Sequence, residues 1–386
     1  MALPDGLLGS AVRRAQLAAP DHLMEALAEP CGAAGVDRPE LYLVDHDGAT
    51  LTPAPRPARE PDPARALPVT GTAAGEAFTS QVPIGVVEGG RTRLWLPVTE
   101  SRCRLGVLSV LVDELDEERR RWCTDLAEVV AQLSRTRQQY TDSFHRARRR
   151  QPMDLAAELQ WGLLPPLDFS CEGVTVAALV EPAYHVGGDV FDYAVNEGIV
   201  HFGIVDSMGH ALYSAIVAGL VIGTYRNRRR AVTDLVGTIE AMDEAVAEQF
   251  GGDRFATVGL GELDVRTGEC RWVNAGHPLP FVVRGGTVEE VHCPPRLPVG
   301  LGGAPAEVAT VVLEPGDRFV CFSDGVTEAS APSGEHFGEA GLRAALEGGA
   351  GTPAGAVVHR VIAGAIEHQG GDQRDDATMV LLELDR

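Results

Sequence analysis

The stretch YHVGGDVFDY, residues 184–193, sets two glycines directly before Asp189 and a second acid, Asp192, three residues later. Its flanks, AALVEPA and VFDYAV, carry the branched and aromatic residues of strands. Glycine weakens a strand interior, so a pair of them marks a turn or a close approach to the backbone. In one reading, Gly187 and Gly188 take positive φ in an ordinary turn and Asp189 bonds its own backbone. In the other, the missing Cβ lets a metal, a water or a phosphate come close to Asp189. The surrounding chain decides between them.

From residue 153 onward, short alternating runs are separated by glycine turns such as VRTGE, RGGT and LEPGD. Helical stretches interrupt them near 210–228, 231–250, 339–348 and 353–368. Hairpin strands with grouped helices predict an α+β domain of antiparallel sheets covered by helices. Further acids share the setting of Asp189, at the ends of apolar runs. Asp206 closes HFGIVD, Asp324 follows FVCFS, and Asp375 and Asp376 precede ATMVLLEL. One such aspartate is commonly a cap or turn former. Several brought together repel one another unless a cation compensates. Oxygen donors without paired cysteine or histidine favour Mg2+ or Mn2+ over zinc. Two such ions, ~3.5–4 Å apart, clamp a phosphate and activate a bridging water.

Charge points the same way. The 386 residues carry a formal net charge of -22, which argues against nucleic acid and against an anionic membrane as partners. It also repels phosphate, unless bound cations invert the local field. Seven scattered cysteines, none in a CxxC pair, fit neither a disulfide framework nor a structural zinc site and suit a reducing cytoplasm. The opening residues show no signal peptide, and no run reaches 18 apolar residues.

The first 115 residues read as a small α/β domain. PDHLMEALAEPCGAAG predicts a helix, LYLVDHDGATLTP a hairpin, PAPRPAREPDPARALP an exposed loop, and GTAAGEAFTSQVPI a short helix. The order, with LWLPV and RLGVLSVLV, resembles a GAF sensor domain, which implies a possible small-molecule ligand or a dimerising role. Residues 116–152 place Trp122, Leu126, Val129, Leu133, Tyr140 and Phe144 on one stripe. That stripe predicts a coiled-coil stalk that carries a homodimer.

Residues 153–386 resemble the SpoIIE/RsbU-type bacterial branch of the metal-dependent type 2C (PPM) serine/threonine phosphatases. The resemblance rests on LQWGLLPP (159–166), EPAYHVGGDVFDY (181–193), GIVDSMGHA (203–211), FATVGLGELD (255–264), WVNAGHPLP (272–280), LPVGL (297–301), LEPGDRFVCFSDGVTEA (313–329) and DDATMVLLEL (375–384), in the family's order. It implies an αββα sandwich with two Mn2+ or Mg2+ ions at one end. Asp189, Asp206, Asp324 and Asp375 would be ligands and catalytic residues, and the Ser207 carbonyl a further oxygen. Asp375 is preferred over Asp376 as the first acid of the D-x-x-T pattern. Gly188 would sit close to the metals. Met208 replaces the proton-donating histidine of animal relatives. His210 is then a candidate donor or a structural residue, while Asn274 and His277 are candidates for the substrate side or for loop ordering. The implied substrate is a phosphorylated STAS-type anti-anti-sigma protein. The alternative is a catalytically inactive pseudophosphatase that acts as a binding module in partner switching.

Overall fold

The computed structural model describes residues 6–54, 63–184, 187–209, 211–370 and 375–385. The chain divides into two units, Met1–Pro152 and Met153–Arg386. Half of the proline-rich loop, residues 55–62, lies outside the described residues.

The first unit is a six-stranded antiparallel sheet with helices on both faces. Its helices are α1 (Leu7–Leu17), α2 (Leu23–Ala33), α3 (Ala73–Ser80), α4 (Glu117–Arg137) and α5 (Ser143–Ala147). Its strands are β1 (Val36–Val44), β2 (Thr50–Pro53), β3 (Leu67–Pro68), β4 (Ile84–Glu88), β5 (Arg91–Glu100) and β6 (Cys103–Val112). They lie in the order β3-β2-β1-β6-β5-β4. The predicted hairpin forms, with Tyr42 opposite Pro53, and LWLPV pairs with RLGVLSVLV in a second one, with Leu96 opposite Leu108. One core packs α1, α2, α4 and α5 on the sheet through Leu27, Leu43, Leu108, Leu126 and Phe144. A smaller one joins α3 to the other face around Tyr42, Phe78 and Trp95.

The expected stalk is corrected here. Its helix ends at Arg137, and the apolar stripe faces its own sheet. Trp122, Leu126 and Val130 are buried, Leu133 packs beside them, and Tyr140 lies beyond the helix, exposed. The buried Arg137 guanidinium pins the helix end by donating to the carbonyls of Ala15, Ala19 and Pro20. An amphipathic stripe needs a covering surface. Here the same chain supplies it, and residues 116–152 belong to the first unit.

The second unit is the αββα sandwich. It contains α6 (Leu155–Leu163), β7 (Asp168–Cys171), β8 (Val174–Glu181), β9 (Asp189–Asn196), β10 (Ile199–Ser207), α7 (Leu212–Arg230), α8 (Leu235–Phe250), β11 (Ala256–Asp264) and β12 (Glu269–Ala275). It continues with β13 (Phe281–Arg284), β14 (Thr287–Glu290), β15 (Ala309–Val312), β16 (Arg318–Phe322), α9 (Asp324–Thr327), α10 (Gly338–Glu347), α11 (Ala354–His368) and β17 (Ala377–Leu384). One sheet runs β15-β12-β11-β10-β9 and the other β14-β13-β16-β17-β8-β7. Every strand pair in both is antiparallel.

Strand alternation divides the side chains among three apolar layers. Phe191, Phe202 and Trp272 of the first sheet meet Phe319 and Leu382 of the second, and Phe202, Trp272 and Phe319 pack ring to ring at 5.4–5.7 Å. On the outer face of the first sheet, Val190, Val205 and Val258 pack on Val217, Val221 and Ile239 of α7 and α8. On that of the second, Val320, Met379 and Leu381 pack on Leu342, Val358 and Ile362 of α10 and α11. All seven cysteines are free, five of them buried.

Candidate active site

Register brings the acids together. β9 and β10 pair so that Asp189 lies directly opposite Asp206. Asp324 starts α9 immediately after β16, and Asp375 and Asp376 stand immediately before β17. β16 and β17 are antiparallel partners, with Phe322 opposite Met379, so these three acids share one end of their sheet. The two sheets are tied there by one side chain. Asp376 Oδ2 accepts the amides of Gly188 (2.6 Å) and Asp189 (3.3 Å).

These acids crowd one field. Asp189 is 2% exposed, and its Oδ2 has no hydrogen-bond partner among the described residues. Burial, then the charges of Asp206 and Asp376, push its carboxyl well above the usual range, against the hydroxyls of Ser323 and Thr378. Asp206 is pushed up to about 7 by burial and then by Asp324 and Asp375. Asp324 is raised by burial, Asp375 and Glu328. Asp376 rises to about 8 through burial, although the two amides oppose the shift. Among the described residues no cationic side chain offsets these shifts.

The donor set fits a hard divalent cation, because every candidate ligand is an oxygen and a buried carboxylate oxygen is left unpartnered. Among the described residues no three acids or histidines close into a ready-made cation cage. The fit therefore stands on donor chemistry and on Asp189 Oδ2.

The paired glycines have a different cause from either opening reading. Neither has a positive φ. A Cβ on Gly187 would stand 1.9 Å from Gln160 Nε2, and one on Gly188 would stand 2.6 Å from the Ser207 carbonyl oxygen. The backbone is bare so that α6 and the end of β10 can close on it. Gln160, 1% exposed, donates to the Asp189 carbonyl at 2.5 Å. Trp161 Nε1 donates to the Ala183 carbonyl at 2.7 Å. Thus α6 holds the chain on both sides of residues 185–186.

The other candidates are placed as follows. Ser207 is 1% exposed, and its hydroxyl reaches the carbonyls of Gly188 (3.0 Å) and Ser214 (2.8 Å), which joins β10, the glycine loop and α7. Asn274 brackets His277: its Nδ2 donates to the His277 carbonyl (2.7 Å) and its Oδ1 accepts the His277 amide (2.8 Å). The His277 ring, 5% exposed, meets the Thr257 hydroxyl at 2.9 Å, and burial lowers its pKa to about 3. That geometry orders a loop with a neutral imidazole. His210 lies outside the described residues. Asp375 is exposed, and its Oδ1 accepts the Asp376 amide at 3.0 Å.

Sequence reasoning missed Gln160 and the loop-holding role of Asp376. The second acid of DDAT was visible, but nothing local said that it faces inward. Gln160 gave no signal, because its partner lies 29 residues away.

Residues 196–385 match the family model described as Stage II sporulation protein E. The second unit is a SpoIIE-family domain. Among solved structures, the chain resembles the SiaA-PP2C domain of Pseudomonas aeruginosa, with 24% identity and a TM-score of 0.52 over 60% of this chain and 94% of that one. It also resembles the PP2C phosphatase domain, with a fragment of the regulatory domain, of SpoIIE from Bacillus subtilis. There the identity is 20% and the TM-score 0.50, over 55% of this chain and 64% of that one. Both likenesses establish the type 2C phosphatase fold. Among curated proteins, Protein IcfG of Synechocystis sp. is 22% identical over 264 residues, which is 59% of this chain and 40% of that protein. The chain thus spans less than half the length of that relative. No described helix is long and apolar enough to cross a membrane.

Proposed function

We propose that the SpoIIE-family domain hydrolyses a phosphoserine or phosphothreonine ester of a regulatory protein. The observation that carries this reading is the placement of Asp189 opposite Asp206, with Asp324 and Asp375 charging the same pocket. Asp189, Asp206, Asp324, Asp375 and the Ser207 carbonyl would hold two Mn2+ or Mg2+ ions. When bound, such ions lower the pKa of an attacking water and neutralise the phosphoryl charge. The chain's own part is positional. Asp376 fixes the 188–189 backbone, Gln160 fixes the Asp189 carbonyl, and the Ser207 hydroxyl holds Gly188.

The family resemblance supports a phosphorylated STAS-type protein as the substrate, in the cytoplasm. The first unit is the regulator in this reading, through a small ligand of its GAF-like fold. Its signal would reach the site through α6, which follows it in the chain and holds the Asp189 loop. The alternative is a pseudophosphatase that binds the phosphoprotein without turnover.

The test is phosphate release from p-nitrophenyl phosphate and from a phosphoserine STAS protein. Wild type and Asp324→Asn are compared with Mn2+, Mg2+ or EDTA. Metal-dependent turnover that the variant loses supports the enzyme. Folded, metal-loaded protein that binds the phosphoprotein and releases nothing supports the binding module.

A further inference from the structure

Among the described residues, one arginine stands beside the strand end that carries Asp206. Arg254 lies two residues before Ala256, which pairs with Ser207, and three before Thr257, which pairs with Asp206. The Met208 amide donates to the Phe255 carbonyl at 3.0 Å, so the chain leaving Asp206 is tied beside Arg254. A Cβ on Gly209 would sit 3.4 Å from Arg254 Nη1. The guanidinium lies over the Tyr213 ring, 5.5 Å from its centre. Among the described residues it has no hydrogen bond and no ion pair besides that contact.

Neighbouring arginines are committed elsewhere. Arg226 and Arg229 are spent on Asp192, and Arg296 on Asp243. Arg254 thus keeps its donors open in a chain of net charge -22. A planar guanidinium stacked on an aromatic ring is preorganised for bidentate contact with a phosphate.

The surface next to it is apolar. Met208 is 37% exposed, Leu212 37%, Tyr213 64% and Ile216 44%. Leu212, Tyr213 and Ile216 share one face of the first turns of α7. Large apolar side chains left in water beside a cation suit a polypeptide, which offers both an anion and apolar flanks. A small phosphoester would leave them uncovered.

We propose that Arg254 grips the phosphoryl group of the substrate, and that the face of Met208, Leu212, Tyr213 and Ile216 seats apolar residues flanking the phosphorylated one. The substrate is then a phosphorylated polypeptide segment with apolar neighbours. This rests on the phosphatase reading above, and the experiment separates the two.

Two synthetic phosphothreonine peptides serve as probes, one with leucines and one with serines beside the phosphothreonine. Turnover is measured for wild type, Arg254→Ala, Arg254→Lys and Ile216→Ser. Peptide binding is measured by fluorescence anisotropy in the Asp324→Asn background, with and without those changes, and inhibition of turnover by inorganic phosphate is titrated. Thermal melts confirm folding. Arg254→Ala should weaken peptide binding and phosphate inhibition roughly tenfold or more, as expected for a charge-assisted contact, and Arg254→Lys should recover part of each. Ile216→Ser should reduce the preference for the leucine peptide. Unchanged phosphate inhibition in folded Arg254→Ala overturns the role of the arginine. Equal affinity of the unsubstituted face for both peptides overturns the apolar seat. If Ile216→Ser instead dissolves a dimer in sedimentation and keeps the peptide preference, the face is a self-interface and the seat is again overturned. If nothing is hydrolysed but the binding differences hold, the inference stands and the phosphatase reading fails.

Discussion

Asp189 and Asp192 lie three residues apart on one strand, each 2% exposed, yet the protein treats them in opposite ways. Asp192 faces α7 and takes two arginines, Arg226 at 2.7 Å and Arg229 at 2.8 Å. Arg226 also donates to the Leu163 carbonyl, so this one acid fastens α6, α7 and β9 together. Asp189 faces the acid cluster and, among the described residues, pairs with no arginine. A buried charge that the chain neutralises itself belongs to the scaffold. A buried charge that it leaves unneutralised is, in the reading proposed above, kept for a cation from outside. Removing each in turn tests this distinction. Asp192→Ala strands two guanidinia and should cost roughly 3–5 kcal/mol of unfolding free energy in a denaturant titration. Asp189→Asn, measured in EDTA, should change stability by at most about 1 kcal/mol and in the favourable direction, because it relieves repulsion. The same substitution should abolish metal-dependent turnover. Equal destabilisation by both would erase the distinction.

The glycines sharpen it next. Gly187→Ala drives a methyl into the Gln160 side chain, and Gly188→Ala drives one into the Ser207 backbone. Each should cost about 1–3 kcal/mol. A side chain can be removed and a backbone cannot. Gly187→Ala should therefore be largely relieved in a Gln160→Ala background, while Gly188→Ala should not. The two cycles are read from denaturation midpoints of the three single and two double variants against wild type. Additive costs would mean that Gln160 does not set the shape of this loop.

These cases also mark where the sequence stopped being readable. The strands, the glycine turns and the four main helices of the second unit were legible, because alternation and 3.6-residue spacing are local properties. The strand-end position of Asp189, Asp206, Asp324 and Asp375 was legible for the same reason. Which of two acids in GGDVFD is neutralised was not, because Asp192's arginines stand 34 and 37 residues further on. The stripe of α4 was read correctly as a stripe and wrongly as a stalk. Periodicity shows that a face is covered but not by which chain, and here Leu27, Leu43 and Leu108 of the same unit cover it. Arg254 escaped notice because a single arginine between a loop and a strand carries no local pattern.

The smallest effect expected concerns pH. His277 in the second unit and His46 in the first are both buried and both lowered to about 3 by burial. Each folded pKa lies below the unfolded value of about 6.5. The unfolded chain therefore binds the proton first. The stability from keeping each ring neutral is complete above pH 6.5 and drains as pH falls toward 3. Near pH 5.5 the loss is only about 1 kcal/mol per histidine, since one full unit is worth ~1.4 kcal/mol. Asp45, beside His46, is raised to about 7 by burial and Asp47, so its sign is reversed. Its cost grows as pH rises from about 4 to 7, and acidification relieves it. Between pH 7 and 5.5 the two effects oppose each other in the first unit, and in the second the raised carboxyls of Asp206 and Asp376, whose cost acidification relieves, oppose His277 in the same way. The share of His277 is therefore read as a difference between variants: in denaturant titrations, His277→Gln should gain about 1 kcal/mol relative to wild type on going from pH 7 to pH 5.5. If the two pH profiles stay parallel, the neutral imidazole held by Asn274 and Thr257 is not what the acid attacks.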